Sequence, residues 1–366
     1  MKARVNQAVW LENQNRWQIK VMRNGIRRTF TSNIEGQKGK RECHRKADEW
    51  LASKTIDDTT RVGVLLDAWL NELRINTSRE HSIQYGGYVR NWIRPIIGAR
   101  RIGQLNEQHL QDVINNAYSR GKLSYKTLSN IRGALVNFVK FCRKNNCTTL
   151  HPGSLNIPNG AVVGKRTILN QSDMITLFTC DTEIYYRKER KAWFIHAFRF
   201  ELVTGLRPGE LIGLKKTQYD GSKIAIRESI NRLNEVTRGK TPAARRALLL
   251  PPLGVKILDE QAQMLDDAGV RSEYIFPSVD GSPATQRKYY TAWNRYKTYH
   301  GLSDVSPYEL RHTFVSVNKT MPTTLKKMIV GHTEDMDTDE VYSHEMDGDL
   351  ELAANYISAA FERLLN

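Results

Sequence analysis

Along the first fifty residues the apolar positions alternate, and then the period changes. Ala8-Val9-Trp10, Trp17-Gln18-Ile19-Lys20-Val21 and Arg27-Arg28-Thr29-Phe30-Thr31 read as three short strands, with Asn13 to Asn15 and Asn24-Gly25 as turns. After Gly39, Cys43, Ala47, Trp50 and Leu51 fall at helical spacing, which predicts a small three-stranded sheet packed on one helix. From Thr59 to about His151 the period is helical throughout. Leu65, Leu66, Trp69, Leu70 and Leu73 make one stripe, and Tyr85, Tyr88, Val89 and Trp92 a second. Leu110, Val113, Ile114 and Ala117, opened by Asn106 as N-cap, make a third; Leu128, Ile131, Leu135, Phe138 and Val139 make the fourth. A helical bundle follows from such stripes. Pro152 to Gly164 reads as a linker. Beyond it, helices mix with a little sheet. Ala192 to Leu202 reads as an apolar helix, and Lys223–Ser229 and Arg246–Leu250 read as two strands. Asp349 to Leu365 reads as an amphipathic helix with Leu352, Tyr356, Ala359, Ala360 and Leu364 near one stripe.

Composition narrows the class. With 40% hydrophobic and 26% charged residues over 366 positions, the chain can bury a core and solvate its surface, which excludes a disordered or low-complexity polymer. No apolar run approaches the roughly 18 residues of a membrane span, and the first residues lack the apolar stretch of a secretory signal. Four cysteines, without paired metal spacing, fit a reducing cytoplasm. The net charge of +16 points to a polyanion, of which nucleic acid is the commonest; the plainer reading is a well-solvated basic protein. Its distribution is uneven. Residues 1–56 carry thirteen basic and five acidic side chains, whereas residues 331–366 carry one basic and ten acidic. Arg16, Lys20, Arg23, Arg27 and Arg28 on the sheet, and Arg90, Lys126 and Arg132 on the bundle, are candidates for phosphate contact.

Three short clusters carry candidate chemistry. In TGLRPGEL at 204–211, Gly205 permits a sharp turn and Pro208 suits the first turn of a helix, which places Arg207 at that helix's start with Glu210 on its face. In SPYELRHTF at 306–314, Tyr308 and Arg311 are i, i+3 neighbours, so a phenol and a guanidinium can reach one group, while His312 points elsewhere. The third cluster is VGH at 330–332 followed by VYSH at 341–344. Each alone is compatible with ordinary surface or packing residues.

Together, in this order and over about 140 residues, these clusters resemble the motifs of the tyrosine recombinases, the family of phage and transposon integrases. TGLRPGEL is similar to the first arginine box and SPYELRHTF to the second. VGH with VYSH is similar to the closing histidine and nucleophile motif, and GKTPAARRALLLPP at 239–252 lies where the family keeps a lysine on a hairpin turn. The resemblance implies a multidomain α+β chain. An arm-type DNA-binding sheet and helix would occupy residues 1–56, a helical core-binding domain 59–152, and a linker 153–168. A mainly α mixed catalytic domain with the C-terminal helix would occupy 169–366. It implies that Arg207 and Arg311 hold the scissile phosphate, that Lys240 steers or protonates the leaving 5′-oxygen, that His332 supports the phosphate or proton traffic, and that Tyr342 is the nucleophile. The implied enzyme cuts and rejoins DNA through a covalent 3′-phosphotyrosine, with no metal or nucleotide cofactor, to integrate or excise a mobile element. Implied partners are double-stranded DNA at core and arm-type sites, a homo-tetramer on two DNA sites and an accessory directionality factor, in a bacterial cytoplasm and without a membrane.

One position departs from the pattern. Where the family usually has His, three residues before the second arginine, this chain has Tyr308, which can donate a hydrogen bond but cannot serve as an imidazole base. The competing reading is a catalytically silent DNA-binding regulator of the same fold. Arg207, Lys240, Arg311, His332 and Tyr342 argue against it, and Tyr308 is the feature in its favour. A relaxing topoisomerase has no use for an arm-type domain. A metal-dependent nuclease needs clustered carboxylates and histidines, and none stands out. The apolar face of the C-terminal helix is expected to dock on a neighbouring protomer, with packing in cis as the alternative.

Overall fold

The computed structural model describes residues 6–23, 26–52, 59–164, 167–238, 245–331 and 348–365. The chain folds as two compact units, residues 1–165 and 166–366.

The first unit opens with an antiparallel sheet of β1 (Val9–Leu11), β2 (Arg16–Arg23) and β3 (Ile26–Ser32), backed by α1 (Gly36–Ala52). Alternation along β2 sends Ile19 and Val21 inward, against Cys43, Ala47 and Trp50 of α1. The helices are α2 (Val62–Asn76), α3 (Arg79–Tyr88), α4 (Arg94–Ile97), α5 (Glu107–Gly121) and α6 (Tyr125–Lys144). Asn106 caps α5 as its sequence predicts, accepting from the His109 N–H at 3.0 Å while His109 Nδ1 accepts from the Asn106 N–H at 3.3 Å. The Tyr85–Trp92 stripe is not one regular helix. It widens into a π turn at Val89–Ile93 just ahead of Pro95, which lacks the N–H needed to continue the ladder. Sheet, α1 and bundle share one hydrophobic core.

The second unit is built around α8 (Ile195–Thr204), every residue of which is buried. It is preceded by α7 (Gln171–Thr179) and a hairpin of β4 (Thr182–Tyr185) and β5 (Lys188–Lys191), and followed by α9 (Pro208–Ile212). The strands expected near 223 and 246 are β6 (Lys223–Ile226) and, after β7 (Ser229–Ile230) and β8 (Val236–Thr237), β9 (Arg246–Leu249). β6 pairs antiparallel with β9, and β7 with β8. Then come α10 (Pro252–Asp267), α11 (Gln286–His300), α12 (Pro307–Val317), α13 (Thr323–Val330) and α14 (Asp349–Leu365). The expected trans docking of the last helix is corrected. α14 lies on its own unit, with Ala353, Ile357 and Phe361 in the core, Phe361 edge-on to Phe178, and the Leu364 carbonyl accepting from Gln171 at 3.3 Å. Its buried stripe runs through Ala353, Ile357 and Phe361, so Leu352 faces outward. Among the described residues no helix is long and apolar enough to cross a membrane.

Buried His196 makes the stability of this unit pH-dependent. Burial, with the Lys191 and Arg199 charges nearby, pulls its imidazole down to about 4. The unfolded chain therefore takes up a proton that the folded chain refuses as pH falls from about 6.5 toward 4. Stability should drop by up to about 3 kcal/mol across that window and be unaffected above it. Chemical unfolding of wild type and His196→Leu at neutral and acidic pH checks this: the variant should lose that slope.

Candidate active site

The first arginine sits on a turn that the local sequence dictates. α8 ends in Gly205 at φ +63°, and a Cβ there would lie 2.4 Å from the Phe314 ring, so the position requires glycine on two counts. Two residues later Arg207 is the N-cap of α9, with Pro208 behind it. Glu210 returns to it twice, accepting from the Arg207 N–H at 3.1 Å and from Nη1 at 2.7 Å. The second arginine comes from α12, whose start is fixed by Pro307 and by Glu309 accepting from the Ser306 N–H at 2.6 Å. Arg311 lies one turn in and is only 2% exposed, whereas Tyr308 on the first turn is 41% exposed. The Tyr308 ring stands edge-on to half-buried His312, 5.3 Å between centroids.

A third arginine, Arg246 of β9, joins them. Its Nη2 lies 3.0 Å from Glu210 Oε2 and its Nη1 3.3 Å from Oε1, so Glu210 bridges Arg207 and Arg246. All three guanidiniums then converge on the end of α13. Arg246 Nε donates to the Ile329 carbonyl at 2.6 Å, Arg311 Nη2 to Val330 at 2.6 Å, and Arg207 Nη2 to Gly331 at 2.9 Å. The last carbonyls of a helix have no partner within it and carry the negative end of its dipole, so cations suit them. The other end of Arg311 holds the Gly205 carbonyl at 2.9 Å, which ties both arginine turns to α13.

The electrostatics favour an anion. Burial alone would raise the Glu210 carboxyl, but Arg246 and Arg207 beside it hold it below the usual carboxylate range, so it is ionised. Burial, followed by repulsion from Arg207, brings Arg311 down to about 10, which leaves it charged at neutral pH. Beneath them, Glu201 is fully buried and accepts from the Tyr289 hydroxyl at 2.6 Å. Burial, which outweighs the Tyr289 hydrogen bond and the Arg311 charge, pushes its carboxyl well above the usual range. Three cations against the Glu210 carboxylate leave a positive excess in a dry setting, where Arg207 remains partly open to solvent. A groove of about 420 Å³ at the end of the β6–β9 pair, with Arg227, Glu228, Arg238 and Arg245 on its walls, lies beside the cluster.

Residues 169–348 match the model of the phage integrase family. The chain is a tyrosine recombinase. A XerC-like tyrosine recombinase of Caldanaerobacter subterraneus subsp. tengcongensis is 24% identical over 357 residues, spanning 84% of this chain and 86% of that protein. The Tn1549 transposon integrase, solved with transposon right end DNA, superposes with a TM-score of 0.63 at 18% identity, over 84% of this chain and 100% of the other. The lambda integrase, solved as a tetramer on a Holliday junction, gives 0.59 at 16% identity, over 92% and 96%. Both have the fold of this recombinase.

Of the recombinase's expected site residues, Arg207, Arg311 and Tyr308 are brought to one place, while Lys240, His332 and Tyr342 lie outside the described residues. Arg246, which the sequence motifs do not single out, joins the site as well. The signal was available: on β9 the inward positions are those of Arg246 and Leu248, and an arginine at an inward position needs an acidic or carbonyl partner. In the first unit Lys20 and Arg27 lie on the open face of the sheet, with Val9 at 61% and Met22 at 65% exposure, and half-buried Arg16 alternates onto the same face. Arg28 does not join them. It is paired with buried Val21, and its guanidinium stands 5.0 Å from the Phe30 ring centre. Arg90 and Lys126 are exposed, whereas Arg132 reaches back to the Leu155 carbonyl at 3.4 Å.

Proposed function

We propose that this recombinase integrates and excises a mobile DNA element, and that the arginine cluster receives the scissile phosphate. The observation that carries the reading is the convergence of Arg207, Arg311 and Arg246 around a single ionised carboxylate, at the end of the helix that leads into His332 and Tyr342. Attack of the Tyr342 oxygen on the phosphorus forms a 3′-phosphotyrosine as the bond to the 5′-oxygen breaks, and Lys240 supplies the proton that oxygen takes up. The non-bridging oxygens gain negative charge in that step. Arg207 and Arg311, planar and permanently charged, are fitted to neutralise it, so the step draws on no metal. Tyr308 donates its hydroxyl to the phosphate, and His332 supports the same group. Because tyrosine's ordinary pKa of about 10 makes it a weak nucleophile at neutral pH, the surrounding cations are also what activates Tyr342.

In this reading residues 1–56 contact arm-type sites through Arg16, Lys20 and Arg27, and residues 59–152 contact the core site through Arg90 and Lys126, while Arg28 and Arg132 are engaged within the fold. A linker, 153–168, leads to the catalytic domain, 169–366. Four copies on two DNA sites, with an accessory directionality factor, act in a bacterial cytoplasm. The test is a nicked duplex carrying the element's end, incubated without added metal and run on a denaturing gel. Wild type and Tyr308→Phe should form a covalent adduct that Tyr342→Phe abolishes. An adduct lost only with Tyr308→Phe would reassign the nucleophile, and specific binding with no adduct would favour the silent regulator.

A further inference from the structure

The β4–β5 hairpin has no part in the site described above, yet its construction is specific. Pairing of Tyr185 with Lys188 closes a two-residue loop, Tyr186-Arg187, and both residues adopt positive φ, 48° and 64°. That is the geometry of a turn that favours Asn and Gly, not two large side chains. The loop presents Tyr186 at 84% exposure. Below it, buried Glu183 anchors two arginines. Arg190 Nη2 lies 3.0 Å from Oε1, while Arg295 of α11 donates from Nε to Oε2 at 2.9 Å and from Nη2 to Oε1 at 2.8 Å. The same two guanidiniums flank the Tyr185 ring, 3.7 and 4.8 Å from its centre. Between hairpin and helix runs a groove of about 490 Å³, whose walls include Tyr185, Arg190, Arg287, Lys288 and Arg295. Among the described residues no carboxylate forms an ion pair with Arg187, Lys188, Arg287 or Lys288.

We propose that this hairpin and the facing stripe of α11 form a binding strip for DNA phosphates, separate from the cleavage site. The inference rests on the reading that the chain acts on duplex DNA. Six cations line the strip, against three carboxylates: Glu183, already committed to two of them; Asp280, which accepts from Ser282 at 2.6 Å and lies near Lys288; and Glu189, on the other face of the hairpin, which accepts from Thr182 at 2.7 Å. A row of positive charge with fixed guanidiniums suits a ligand that carries a phosphate charge about every 1.7 Å along its axis. The strip is also within reach of such a ligand. At the first turn of α11, Gln286 donates to the Ile230 carbonyl at 2.8 Å, beside Gly209 of the α9 turn that begins at Arg207. From there to Arg295 the helix advances only about 14 Å, so the strip begins beside the arginine turn and ends within a few turns of it.

Full-length chain and a mixed-sequence duplex, titrated by fluorescence anisotropy at several salt concentrations, test this. Replacing Arg187, Lys188 and Arg287 together by Gln should reduce the slope of log affinity against log salt by about 2–3, because each lost phosphate contact removes about 0.9. A second variant, Tyr186→Asn with Arg187→Gly, gives the turn its preferred residues. It should unfold at a higher temperature than wild type yet bind the duplex several-fold more weakly. An unchanged salt slope in the triple variant, or wild-type affinity in a stabilised Asn-Gly variant, would overturn the strip while wild type still binds. Wild type that binds no duplex at all would overturn the functional reading itself.

Discussion

Replacing Arg311 by alanine should reduce covalent adduct formation by about 10²–10³ and lower stability by up to about 3 kcal/mol. The loss of rate follows from its position: a guanidinium in a dry site that neutralises developing charge is worth about 2.7–4 kcal/mol in comparable cases. Stability is the balance of two opposing effects. Removing the side chain leaves the Gly205 and Val330 carbonyls without the donor they have at 2.9 and 2.6 Å, at about 1–3 kcal/mol for each buried group. It also removes a buried cation that sits next to Arg207 and whose pKa has fallen to about 10, which relieves about 3 kcal/mol of electrostatic strain. The second offsets part of the first and leaves a net loss of up to about 3 kcal/mol. Arg311→Lys keeps a charge but not the fork that reaches both carbonyls, so it should lose most of the same activity. Single-turnover cleavage at saturating DNA, beside thermal unfolding of the same variants, decides the matter. A stability collapse with near-normal cleavage would mean that Arg311 is only a strut.

The outer framework of this chain is legible in its sequence because it rests on periodicity. The Asn106 cap, the β6 and β9 strands and the 349–365 helix are each set by short-range patterns, and all form where those patterns put them. The β4–β5 hairpin was not foreseen, since Lys188, Glu189, Arg190 and Lys191 show no apolar alternation and its strands are held by the Glu183 ion pairs and the Tyr185 stack. The destination of α14 was misjudged for a related reason. An apolar stripe says that a helix must be covered but not by what, and the surface that covers it comes from α7, β9 and α13, three separate stretches of the chain. In the candidate site, motif spacing singled out Arg207, Arg311 and Tyr308, which the fold brings near one another. The carbonyl triad of Ile329, Val330 and Gly331 that gathers the arginines exists only once α9, β9, α12 and α13 meet.

Arg246 gives the second large effect. It joins β9, at the foot of the segment that carries Lys240, to Glu210 and to the Ile329 carbonyl, so two of the site's elements are positioned through it. Arg246→Met should slow cleavage by about 10–10² with DNA affinity nearly unchanged, because it acts on Arg207 through Glu210 and not on the phosphate. It should also destabilise the fold by about 3–5 kcal/mol, since it leaves a carboxylate that is 4% exposed with one partner in place of two. Glu210→Gln on its own should cost cleavage for the same reason, by loosening Arg207. The double variant separates positioning from folding. Removing the stranded charge recovers much of the stability, but Arg207 is still unheld, so cleavage stays as slow as in the worse single variant and the two rate losses do not add. If cleavage instead returns in step with stability, Arg246 contributes to the site only by keeping the unit folded.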